Sequence, residues 1–87
     1  MEYLHQDFHL ASGDVVEVEL DRQVNVRLLN DADYRSFRRG QQHRYYGGLA
    51  KVSPFRLRAP RAGHWHLVID LAGYAGRLRT CVRVMKG

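Results

Sequence analysis

The sequence predicts an all-β fold: an antiparallel sandwich of jelly-roll type, with about eight strands and one short helical turn near residues 31–39. Three observations carry that expectation. Apolar residues recur mainly with a period of two, the spacing of a half-buried strand. The alternating runs are short and are separated by Gly, Pro, Asp and Ser turn residues. No long stretch of 3.6-residue periodicity competes with them.

Taken in order, "SGDVVEVEL" opens on a Ser-Gly-Asp turn and then alternates. Val16, Val18 and Leu20 share one face, and Glu17, Glu19 and Asp21 share the other. "VNVRLL" repeats the pattern, with Val24, Val26 and Leu28 against Asn25 and Arg27. The short link "DRQ" between these runs suits a hairpin. "NDADYRSFRRG" breaks the alternation: Asp31 or Asp33 can cap a helical turn and Gly40 can end it. Tyr34 and Phe37, three residues apart, pack together onto a sheet edge in this reading.

Gly47 and Gly48 mark a bulge or tight turn where the backbone takes positive φ or approaches closely. Phe55, Leu57 and Ala59 alternate with Arg56 and Arg58, and Pro54 and Pro60 bracket that strand. In "GHWHLVIDL" the residues Trp65, Leu67, Ile69 and Leu71 share a face, opposite His64, His66, Val68 and Asp70. "AGYAG" is a turn. In "RLRTCVRVM" the inward set is Leu78, Thr80, Val82 and Val84, and the outward set is Arg77, Arg79, Cys81 and Arg83. The predicted core is Val16, Val18, Leu20, Val24, Val26, Leu28, Phe55, Leu57, Trp65, Leu67, Ile69, Leu78, Val82 and Val84.

The totals bound the function classes. A chain of 87 residues is one domain, residues 1–87, with a small core. No apolar run approaches the roughly 20 residues that span a bilayer, so no membrane association is expected. "MEYLHQDF" lacks the basic start and apolar centre of a signal peptide. The single cysteine, Cys81, forms no internal disulfide, and a cytoplasmic protein of bacterial type is expected. The net charge of +5 is unevenly spread. Residues 1–21 hold six acids and no Lys or Arg, residues 22–62 hold ten bases against Asp31 and Asp33, and residues 63–87 hold four bases against Asp70. A basic middle can face nucleic acid or another anion. Equally, the acidic start can pair with later arginines inside one sheet: Glu17, Glu19 and Asp21 suit Arg77, Arg79 and Arg83 if their strands are neighbours.

The order of elements from "SGDVVEVEL" to "GRLRTCVRV" resembles the small sandwiches of the bacterial pre-peptidase C-terminal type, which are related in shape to CUB domains. A closer resemblance covers nearly the whole chain. "GDVVEVELD", "NVRLLN", "HRYYGGLA", "SPFRLRAPRAGHWHLVIDLAGYAGR" and "VRV" are similar to the domain-of-unknown-function family 1883, with His43–Ala50 and Gly63–Arg77 the specific parts. That resemblance implies a CUB-like sandwich, found alone or beside a signalling domain of the Toll/interleukin-receptor type. It implies no reaction.

Candidate sites follow from side-chain chemistry. His64 and His66 point to one side of a strand, and Asp70 or His43 can add a third ligand. Only two ligands are secured by spacing, so no metal and no other cofactor is expected. Cys81 lies mid-strand without a nucleophile elbow, and no phosphate-cradling loop is present, so no enzyme activity is expected. Binding is the expected role. His43, Arg44, Tyr45 and Tyr46 combine cation, aromatic faces and donors. With Gly47, Gly48, His64, His66, Asp70, Tyr74 and Arg77 they line one end of the sandwich in this reading, and such a surface holds a nucleotide, a sugar or another small anion. One of Tyr45 and Tyr46 is expected in the core, and Trp65 is core rather than site. Nucleic acid is a less favoured ligand. The alternative is a structural or protein-interaction domain: a homodimer through an edge strand or the aromatic loop, or a partner of an acidic protein through the arginines of "FRLRAPR", Arg56, Arg58 and Arg61, which resist self-pairing.

Overall fold

A computed structural model describes residues 3–73 and 76–87. Seven strands and one helix run in the order β1 (Leu4–Leu10), β2 (Val15–Leu20), β3 (Val24–Asn30), α1 (Asp31–Arg38), β4 (Tyr46–Ala50), β5 (Phe55–Arg58), β6 (Gly63–Asp70) and β7 (Thr80–Met85). They form two antiparallel sheets, β1-β6-β3-β4 and β5-β2-β7. The all-β sandwich expected from period-two patterning is therefore present, with seven strands among the described residues rather than about eight.

The core lies between the sheets. Val16 and Val18 from β2 meet Val24, Val26 and Leu28 from β3 and Trp65, Leu67 and Ile69 from β6, all buried. Leu20, Phe55, Leu57, Leu78 and Val82 pack against this cluster from its rim. Leu10, Ala50 and Ala59 complete it. Val84 departs from the expectation: it is 40% exposed, on the edge strand β7.

Three local expectations are corrected. "DRQ" is not a hairpin turn, because β2 and β3 belong to different sheets and the link crosses between them. The helix is capped not by Asp31 or Asp33 but by Asn30, whose side-chain oxygen accepts the Asp33 N–H at 2.8 Å. Both aspartates instead occupy the first turn, where the helix dipole favours negative charge. Finally, Arg77 and Arg79 precede β7 rather than forming part of it.

The helix lies across β3 and β6 on the outer face of the four-stranded sheet, not at a sheet edge. Tyr34 and Phe37 pack there on Leu29 and Val68, and Tyr3 closes the same small cluster. This second apolar layer explains why Val68 is fully buried although its face of β6 is otherwise polar.

Of the charge pairs expected between β2 and the last strand, only Glu17 with Arg83 is present among the described residues, since Glu19 stands opposite Cys81 and Arg77 and Arg79 lie before β7. Glu17 stands opposite Arg56 of β5 and Arg83 of β7. Its carboxylate accepts a hydrogen bond from Arg56 at 2.9 Å and from Arg83 at 2.8 Å, while the two arginines cover it. Hydrogen bonding from Arg83 first, then from Arg56, holds this carboxyl below its ordinary value of 4.5. The stability it contributes is complete above that ordinary value and is lost as pH falls through the lower folded value. Glu17→Gln is therefore expected to lower the melting temperature at neutral pH by roughly 5 °C, the exposed arginines limiting the loss. Thermal melts from about pH 3 to neutral check this: the variant's acid limb should be flatter, and parallel limbs would refute it.

Candidate functional site

Side chains with chemistry gather at two places around the helix. The first is built by strand register. On β1 the residues His5, Asp7 and His9 share the outer face, and antiparallel pairing sets Asp7 opposite His66 and His9 opposite His64 on β6. β3 pairs with the other side of β6, with Asn30 opposite Trp65. The helix that Asn30 caps thus begins beside these histidines and brings Asp31 over them.

One Asp31 carboxylate oxygen lies 2.7 Å from His64 Nδ1 and 2.6 Å from His66 Nε2. The far nitrogens are also held: His64 Nε2 is 2.8 Å from Asp7, and His66 Nδ1 is 2.9 Å from His5 Nε2. Ionised carboxylates only accept, so both nitrogens of His64 donate and His66 donates from Nε2, while between His5 Nε2 and His66 Nδ1 the tautomers decide which ring donates. The hydrogen bond to Asp7, reinforced by the Asp31 charge, raises the His64 pKa. Burial, with His66 second, lowers that of His5. Asp31 is pulled below its ordinary value chiefly by the hydrogen bond from His66, and Asp7 by that from His64. The rings are stacked as well: Tyr34 lies 4.3 Å from the His66 ring and 4.4 Å from the His5 ring, and His9 lies 4.8 Å from His64.

Asp70 shares this face but is already engaged. It is buried, pairs with Arg27, and accepts from Asn25 at 3.2 Å and from the Ala72 N–H at 2.8 Å. Arg27 in turn lies over Phe37 at 5.6 Å and Tyr45 at 5.4 Å. Asp70 therefore anchors the helix layer and is no third partner for His64 and His66; Asp31 is.

The second place is an open cavity of about 760 Å³ at the opening of β4 and the start of α1. His43, Arg44, Tyr45 and Tyr46 line it together with Asp33, Arg61 and Trp65. The Arg44 N–H donates to Asp33 at 3.2 Å and ties the segment to the helix. The Arg61 guanidinium lies 5.1 Å over the Trp65 ring, whose indole N–H donates to the Arg61 carbonyl at 3.1 Å. Tyr46 meets Trp65 edge-on at 5.9 Å. Neither Tyr45 nor Tyr46 enters the core; both are nearly half exposed. Trp65 is core, as expected, and only its rim reaches the cavity.

The predicted site residues thus separate. His43 to Tyr46 line the cavity, while His64, His66 and Asp70 lie on the outer sheet face. Gly47 and Gly48 belong to β4 opposite Arg27 and Val26. Arg77 lines a different cavity with Tyr3, Leu4, Leu71 and Leu78. Tyr74 lies outside the described residues. Nor do Arg56, Arg58 and Arg61 form one patch: Arg56 pairs with Glu17, Arg58 donates to the Gly13 carbonyl at 3.0 Å, and Arg61 sits on Trp65. Sequence reasoning missed Asp33 and Arg61 at the cavity and His5, Asp7, His9 and Asp31 at the histidine cluster. The alternation His5-x-Asp7-x-His9 was the available signal for β1.

Two antiparallel sheets around one apolar core, with a single helix over an outer face, define a small all-β sandwich that carries its polar chemistry outside the core. The chain belongs to the domain-of-unknown-function family DUF1883, whose model matches residues 1–87. No curated protein and no solved structure matches it. Among the described residues, no helix is long and apolar enough to cross a membrane.

Proposed function

We propose that this domain is a non-catalytic binding module that takes a small ligand, a nucleotide, a sugar or another small anion, in the cavity at His43–Tyr46. The observation that carries it is the pairing of two cations, Arg44 and Arg61, with the aromatic faces of Tyr45 and Tyr46 around one open volume of about 760 Å³. Arginine engages phosphate through two parallel N–H donors, and an aromatic face stacks on a base or sugar. Among the described residues, neither arginine makes an ion pair with a carboxylate.

The test is an amide NMR titration with pooled nucleotides, short oligonucleotides and sugars. Saturable shifts at His43–Tyr46 are expected. Arg44→Ala should weaken the responding ligand about 10- to 100-fold, as loss of a charged hydrogen bond does, and change stability by no more than about 0.5 kcal/mol. An oligonucleotide ligand would show affinity falling steeply with salt, and a salt-independent response would exclude nucleic acid. A second proposal, a protein-interaction domain, is supported by Leu49 on the edge strand β4, 46% exposed, and Val52 just beyond it, 74% exposed. No small-molecule shifts together with concentration-dependent self-association would favour it.

A further inference from the structure

We propose that Asp31, His64 and His66 form a binding site for one divalent transition-metal ion of the zinc class, separate from the anion cavity. The proposal stands on geometry. Each residue offers one ligand atom, and the three atoms lie within 4.8 Å of one another. Strand alternation puts both imidazoles on one side of β6, and the Asn30 cap fixes the start of the helix above them. Zinc held at about 2.0–2.1 Å in a tetrahedron separates its ligand atoms by roughly 3.3 Å. The Asp31 oxygen, 2.7 and 2.6 Å from the two nitrogens, would withdraw by some tenths of an ångström, and the two imidazole nitrogens, within 4.8 Å of each other, would draw together around the ion. Asp31 is half exposed in the first turn and has room to do so.

The surroundings are those a metal-binding histidine requires. Its second nitrogen must be held by a hydrogen-bond partner, which fixes the tautomer and aims the ring. Asp7 holds His64 Nε2 and His5 meets His66 Nδ1, so the nitrogens that would face the ion are His64 Nδ1 and His66 Nε2. Binding requires each of these two to lose the proton it now donates to Asp31, leaving the far N–H of His64 to donate to Asp7 and that of His66 to donate to His5. Stacking on Tyr34 locks the His66 ring. Exposure rises from 10% for the His66 side chain through 28% for His64 to 51% for Asp31. The ion would therefore be closed off on the sheet side and open to water on the other, leaving a position for solvent or an exogenous ligand. Two imidazoles and one carboxylate suit zinc and its transition-metal neighbours rather than magnesium or calcium, which prefer oxygen alone.

The test uses the full chain without an affinity tag, stripped with a chelator and titrated with Co²⁺ by visible absorption and with Zn²⁺ by calorimetry. One equivalent is expected to bind, with the cobalt spectrum of low coordination number. Asp31→Asn and His64→Gln should each weaken Zn²⁺ binding at least tenfold. Asp7→Asn, which touches only the far nitrogen, should weaken it about 10- to 100-fold. His43→Ala, in the cavity, should leave it unchanged. An amide spectrum of each variant reports folding, and Asp31→Asn, at an exposed position, decides the matter if His64→Gln misfolds. Absence of saturable binding to the folded wild type would overturn the proposal. So would one-to-one binding that survives both Asp31→Asn and His64→Gln. Neither result bears on anion binding at Arg44, which is read from separate resonances.

Discussion

Ile69→Asp should leave a chain with no cooperative unfolding transition. Ile69 is 2% exposed at the centre of the four-stranded sheet, opposite Leu4 on β1 and Val26 on β3. Removing its buried side chain forfeits about 1.5–3 kcal/mol. The new carboxylate would have no partner among Val16, Val26 and Leu67, and an unpaired buried charge costs several kcal/mol more. Together these reach the lower end of the roughly 5–15 kcal/mol that holds a domain folded, which is where a small core sits. Thermal circular dichroism and amide dispersion check this. Ile69→Val, which trims one methylene, should cost only about 0.5–1.5 kcal/mol and melt cooperatively. A native melt of the aspartate variant would mean that β6 presents the other face to the core.

Gly47→Val should be nearly as damaging, for a backbone reason. Gly47 has φ +125°, a region that side-chain-bearing residues rarely adopt, and a Cβ built there would overlap the Val26 carbonyl. The overlap is with backbone of the neighbouring strand β3, so no rotamer relieves it. β4 would have to leave its register opposite β3, taking Tyr46 away from Trp65. A loss of roughly 3 kcal/mol or more is expected, from strain at a special φ plus broken pairing. Gly48→Ala is the control. Its Cβ would meet nothing within 4 Å, so only the φ of +143° opposes it and the loss should be clearly smaller. Equal losses in urea unfolding would refute the close-approach explanation.

The layer between the sheets was legible because period-two alternation encodes it directly. Val16, Val18, Val24, Val26, Leu28, Trp65, Leu67 and Ile69 all lie where alternation puts them. The second layer was not. Leu29 and Val68 occupy the face that alternation marks as solvent-facing, and only the placement of α1 across β3 and β6 buries them. β1 was missed for a related reason. His5, Asp7 and His9 alternate with Leu4, Gln6, Phe8 and Leu10, but an edge strand with a polar outer face and Gln6 on its inner side reads as a tail. The cavity residues His43 to Tyr46 are contiguous, so their grouping could be read. The histidine cluster joins residues 5, 31 and 66, whose meeting depends on strand order, and local spacing carries no information on that. Asp70 looked like a ligand because it follows His66 at even spacing, but Arg27, diagonal to it on β3, and Asn25, directly opposite, claim it.

The strand order also bears on how the chain survives its own synthesis. β2 waits for β5 and β7, and β1 waits for β6, so neither early strand has a partner until most of the chain has been made. At roughly 5–20 residues per second, that interval lasts several seconds. During it β2 is an apolar, β-prone segment with nothing to pair with, the kind of stretch that seeds aggregation. Glu17, Glu19 and Asp21 place a negative charge at every second position of that segment and just past its end. Before Glu17 enters its ion pairs, like charge along β2 opposes the pairing of one such segment with another. The native arginine partners Arg56 and Arg83 emerge only with the strands that end the wait.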